Sequence, residues 1–81
     1  MMKYWSSLDV YLASWIYLTT GIYPEFKYFN DKVSFHFPLT DKVLNSINDF
    51  NSGKKIEANK YTLIIKNLKS QIFQIKSQKM D

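Results

Sequence analysis

One histidine, seven carboxylates and eleven lysines carry the charge and most of the acid–base capacity of this 81-residue chain. Catalysis at His36 needs an orienting partner and a nucleophile or substrate within hydrogen-bond reach. The partner that spacing offers is Glu25, opposite His36 across an expected hairpin, and an ordinary cross-strand pair accounts for that placement. Five of the seven acids fall singly in caps, a turn and the hairpin surface, and no two recur at i, i+3 or i, i+4 on one helix. The pattern therefore offers no carboxylate dyad and no metal clamp. With no cysteine and a single histidine, an ordinary structural zinc site is excluded. The two glycines stand 32 positions apart, so no Gly-rich phosphate loop is present. The expectation is a non-enzymatic chain with no catalytic residue, cofactor or metal.

Charge is the next resource. Residues 1–53 hold four Lys against five acids, whereas residues 54–81 hold seven Lys against Glu57 and Asp81. Lys54, Lys55, Lys60, Lys66, Lys69 and Lys76, with Phe73 among them, form a candidate nucleic-acid contact: lysines neutralise phosphates and an exposed aromatic stacks on a base. Arg is absent, which removes bidentate base and phosphate contacts, and no helix-turn-helix pattern is evident. The competing explanation is the solvated face of an amphipathic helix.

Aromatics are the third resource, at 17% of the chain. Tyr4, Trp5, Tyr11, Tyr17, Tyr23 and Phe29 fall outside the stripes needed for one small core. They are the candidate protein-contact residues, since Trp and Tyr are typical interface anchors. The alternatives are a marginal core that absorbs them all or a homodimer interface.

The elements that must position these groups are read from periodicity and punctuation. A first helix is expected over about Ser7 to Thr20, capped by Ser6 or Ser7, with Leu8, Leu12, Trp15 and Ile16 on one stripe. Val10, Tyr11, Tyr17 and Leu18 make it apolar nearly all round, so its own domain or a partner must cover it. Gly21 and Gly53 follow helical patterns where a left-handed residue is wanted. Tyr23–Phe29 and Lys32–Phe37 flank Asn30-Asp31 and form a hairpin. Its register puts Phe26, Tyr28, Val33, Phe35 and Phe37 on one face and Glu25, Lys27, Lys32, Ser34 and His36 on the other. A second helix follows Thr40, with Val43, Leu44, Ile47 and Phe50 inward. Ile56 packs from a short connection. A third helix runs from about Ala58 or Asn59 to Ser77, with Tyr61, Ile64, Ile65, Leu68, Ile72 and Ile75 on its inner stripe. The fold class is α+β: helix, two-stranded antiparallel hairpin and two helices in one domain over 1–81, ordered about 5–77 with a frayed tail at 78–81. Val10–Tyr23 is too short and too interrupted by Ser14, Thr19 and Thr20 for a membrane span, and no secretory signal pattern stands out.

Tyr11-Leu12-Ala13, Phe35-His36-Phe37-Pro38, Phe50-Asn51-Ser52-Gly53 and Tyr61 followed by Leu68-Lys69-Ser70-Gln71-Ile72-Phe73 together resemble a small uncharacterised domain family of bacteria, often firmicutes, and their phages and other mobile elements. The similarity covers roughly residues 8–75. It implies a small mobile-element protein in the host cytoplasm, and it brings no activity and no functional residue. The leading expectation is a binding protein that docks its aromatic first helix and hairpin on a protein partner, such as a host enzyme or a defence enzyme of the CRISPR-nuclease kind, and blocks it. The alternatives are an accessory protein binding nucleic acid through the Lys-rich third helix, and a structural homodimer.

Overall fold

The computed structural model describes residues 3–79. Elements follow in the order β1 (Tyr4–Ser7), α1 (Val10–Thr20), β2 (Glu25–Phe29), β3 (Lys32–Pro38), α2 (Asp41–Asn51) and α3 (Ala58–Lys79). The class is α+β, but the sheet has three strands in the order β1-β3-β2, not the two of an isolated hairpin. The third strand comes from the segment expected to cap the first helix. Tyr4–Ser7 pairs antiparallel with β3, setting Tyr4 opposite Pro38 and Ser7 opposite Phe35. A two-stranded ribbon is marginal alone, and β1 removes the free edge of β3 as well as adding a strand.

The hairpin has the register expected from its alternation, from Phe29 opposite Lys32 to Glu25 opposite His36. Asn30 and Asp31 take φ 52° and 62°, the two positive values a type I′ turn needs. One sheet face carries Phe26, Tyr28, Val33, Phe35 and Phe37, joined by Trp5; it is covered by helices. The other carries Tyr4, Ser6, Glu25, Lys27, Phe29 and Lys32, all exposed.

Helix α1 begins later than its sequence suggests. Asp9 is the N-cap: its carboxylate accepts from the Tyr11 and Leu12 amides at 2.9 and 3.3 Å, while the Ser7 hydroxyl accepts from the Asp9 amide. Leu8 therefore leaves the inner stripe and is 58% exposed. Gly21 ends the helix in the left-handed region at φ 77° and donates to Tyr17. The helix is covered on several sides by its own domain: α2, α3 and the sheet all pack on it. Its buried hydroxyls are satisfied locally, Ser14 donating to the Val10 carbonyl and Thr20 to that of Ile16.

Helix α2 is capped by Thr40, which accepts from the Val43 amide, and α3 extends two residues beyond the expected Ser77. Gln78 and Lys79 thus belong to α3, and residues 80 and 81 of the expected frayed tail lie outside the described residues. The fully buried core is Ala13, Ile16, Phe35, Phe37, Val43 and Leu68, drawn from α1, β3, α2 and α3. Leu44, expected inward, is 42% exposed, and Ser46 takes the buried position on α2 instead. Along α3 only Leu68 is fully buried; the rest of its stripe is half-covered. The cause is geometry: the molecule is a slab of 41 × 36 × 18 Å, and α3 runs about 33 Å across a helix layer with no other element among the described residues on its outer side.

Trp5 packs on Phe37 with ring centroids 6.5 Å apart and joins the core from β1. Trp5→Ala is expected to destabilise the domain by about 2–4 kcal/mol in urea unfolding, because it removes both buried area and the anchor of the third strand. A variant unfolding within about 0.5 kcal/mol of the parent, well below that range, contradicts this placement.

Candidate functional site

The six candidate protein-contact aromatics are dispersed. Tyr4 and Phe29 share the open sheet face but stand on opposite outer strands, at opposite ends of the strand they flank. Trp5 turns to the covered face. Tyr11 is 50% exposed on the α1–α3 side. Only Tyr17 and Tyr23 meet, edge to face at 5.1 Å, and the Tyr23 hydroxyl donates to the Asn67 side chain at 3.3 Å.

On the open sheet face the Ser34 hydroxyl and His36 Nε2 lie 2.8 Å apart, with Glu25 opposite His36 in the ladder. Burial holds the imidazole below its ordinary value, Lys27 acts the same way, and Glu25 opposes both. Both side chains are half-buried on that sheet face, and the geometry provides a hydroxyl–imidazole hydrogen bond. Among the described residues no three His, Asp or Glu side chains gather as metal ligands, and no helix is long and apolar enough to cross a membrane.

The basic residues fare differently. Helix α3 carries Lys60, Lys66, Lys69, Lys76 and Lys79 and no acid over 22 residues. At the helical period, Lys66, Lys69, Phe73 and Lys76 fall on one outward side, whereas Lys60 falls about half a turn from Lys69 and faces away from it. Phe73 is 73% exposed among these lysines. Lys69 reaches over the Tyr11 ring, its Nζ 5.3 Å from the centroid, so α1 contributes an aromatic to the same side. The Tyr61 hydroxyl donates to the Tyr11 carbonyl at 2.7 Å, tying the first turns of α3 to that side. Burial pushes the Tyr61 hydroxyl above its ordinary value, with Asp9 and Tyr11 adding to the effect.

At Tyr61, about a third of a turn around the helix from Phe73, lies a cavity of about 370 Å³, lined by Trp15, Phe50, Gly53, Lys54, Lys55, Ile56, Ala58 and Tyr61. Trp15 forms its floor, with edge contacts to Phe50 at 5.8 Å and Tyr61 at 6.2 Å. Trp15, Phe50 and Tyr61 each read in the sequence as ordinary core positions. The cavity arises where their three helices diverge around the 53–57 connection, and no local pattern announces that. Lys54 pairs with Asp49 at 3.5 Å, both side chains exposed.

No protein-family model matches the chain, and comparison with curated proteins and with solved structures gave no match either.

Two outcomes follow from this geometry. Tyr61→Phe removes one interhelical hydrogen bond and is expected to lower stability by about 1 kcal/mol, read by denaturant unfolding. His36 is held neutral in the fold at pH values where the unfolded chain, with its imidazole near about 6.5, takes up a proton. Its stabilising contribution is therefore present above that pH and lost as pH falls through the lower folded value. The melting temperature should drop between pH 7 and 5, and His36→Gln should reduce that drop.

Proposed function

We propose that this chain is a non-enzymatic binding protein whose working surface is the outward side of α3, and that its ligand is single-stranded nucleic acid. The observation that carries the reading is Phe73: a large aromatic, 73% exposed, flanked by Lys66, Lys69 and Lys76 on a helix without acids. A phenylalanine there adds nothing to the core. Bases present a stacking face when they are unstacked, as in a single strand, and lysines follow its backbone. Without Arg the surface neutralises phosphates but makes no bidentate base contacts, so binding is tolerant of sequence.

The all-round apolar character of α1, which first favoured docking on a protein, is accounted for by its central position. A protein-contact reading keeps one specific support: Tyr23 is 46% exposed beside Tyr17, and Leu63, 66% exposed, stands one turn from the Asn67 that Tyr23 contacts. In that reading the partner is a host or defence enzyme, in keeping with the resemblance to mobile-element proteins.

Titration of a labelled single strand at two or more salt concentrations separates these. Affinity should fall steeply with salt, and Lys66→Glu/Lys69→Glu/Lys76→Glu should weaken binding and flatten the logarithmic salt slope by about 2, from roughly 0.7 per phosphate contact. Absence of binding at low salt removes the nucleic-acid reading. Leu63→Lys with intact strand binding and lost capture of a protein partner supports the second reading.

A further inference from the structure

We infer that the cavity between Trp15, Phe50 and Tyr61 receives one base of the strand, with the adjoining phosphate at Lys55 and Lys54. This rests on the single-strand reading of α3 and names what happens at its N-terminal end.

The walls specify the class of ligand. Three aromatic rings line a space of about 370 Å³, within the range of small-molecule sites. Their polar atoms are already engaged: Trp15 Nε1 donates to the Ser46 carbonyl at 2.9 Å, and the Tyr61 hydroxyl to the Tyr11 carbonyl at 2.7 Å. The rings therefore offer apolar surface and no free donor, which suits a flat, weakly polar group and gives no hydrogen-bond reading of its edge. The mouth is cationic. Lys55 has no ion-pair partner among the described residues, and Lys54 shares only the exposed Asp49. A flat group carrying a neighbouring negative charge complements this combination; a cation or a neutral oil fits one half of it.

One residue of α1 links the cavity wall to the α3 lysines. Tyr11 joins them, accepting from Tyr61 through its carbonyl and receiving Lys69 over its ring. From Tyr61 to Phe73 the helix rises about 18 Å and turns about a third of a circle further than whole turns, so a strand stacked at Phe73 reaches the cavity mouth by crossing Lys69 and Tyr11. Because the pocket holds a base by stacking, it takes purines and pyrimidines alike.

The test uses eight-nucleotide strands of thymidine and of adenosine with Ala58→Phe, which fills the mouth from an exposed position, and Lys55→Glu; thermal melting verifies that both remain folded. Ala58→Phe should weaken both strands about tenfold with an unchanged salt slope, the loss of one stacked base. Lys55→Glu should weaken binding and flatten the slope by about 0.7. In a Trp5→Phe background, either strand should quench Trp15 fluorescence, and Ala58→Phe should abolish the quenching. If Ala58→Phe binds within twofold of the parent while the α3 triple charge reversal weakens binding, the cavity inference is overturned and the α3 reading stands. If neither strand binds the parent at low salt, both fall together.

Discussion

The indole of Trp15 is where the three helices are joined. Its N–H donates to a carbonyl of α2, one edge meets Phe50 of α2, and another meets Tyr61 of α3. At 4% exposure it is nearly withdrawn from water, and its hydrogen bond satisfies the one polar atom that burial would otherwise strand. Around it α1 becomes the centre of the helix layer, and the sheet closes over the Ile16 side through Phe35 and Phe37. A domain of this size has little apolar area to spare, so one large side chain serving three elements has an outsized effect.

That constraint also explains the surfaces. Covering α1 on several sides uses most of the apolar material of α2 and the inner stripe of α3. The outer side of α3 is left to water with its lysines, and the exposed Phe73 and Leu63 stand out there because nothing in the domain claims them. Where α2 and α3 part around the 53–57 connection, Phe50 and Tyr61 stay half-buried over the nearly covered Trp15, and a cavity with a lysine mouth results. The binding surface proposed above is thus the complement of the packing solution.

How far the fold was legible depended on whether the signal was local. The hairpin register follows from a period-two pattern in which Phe26, Val33, Phe35 and Phe37 must share a face, so a slip by one residue would expose them all. Gly21 and Gly53 mark helix ends because their backbone angles, φ 77° and 80°, are those side chains resist. Strand β1 was not legible. Ser6-Ser7 has the composition of a helix cap, and what makes it a strand is the free edge of β3, some thirty residues away. The start of α1 moved for the same reason: with Ser7 committed to the sheet, Asp9 was left to cap the helix.

The sequence by itself determined the element types after residue 9, the hairpin register, the core faces of β3 and α3, the concentration of lysine after residue 53, and which lysines share a side of α3 with Phe73. These follow from backbone stereochemistry and from periods of two and 3.6 residues, which act between near neighbours. Tertiary structure alone decided that β1 exists, that α1 is central, that the six surplus aromatics disperse, and that Trp15, Phe50 and Tyr61 leave a cavity between them. Each of these depends on which surfaces meet across long stretches of chain, where the outcome is set by total buried area and by the pairing of buried polar atoms.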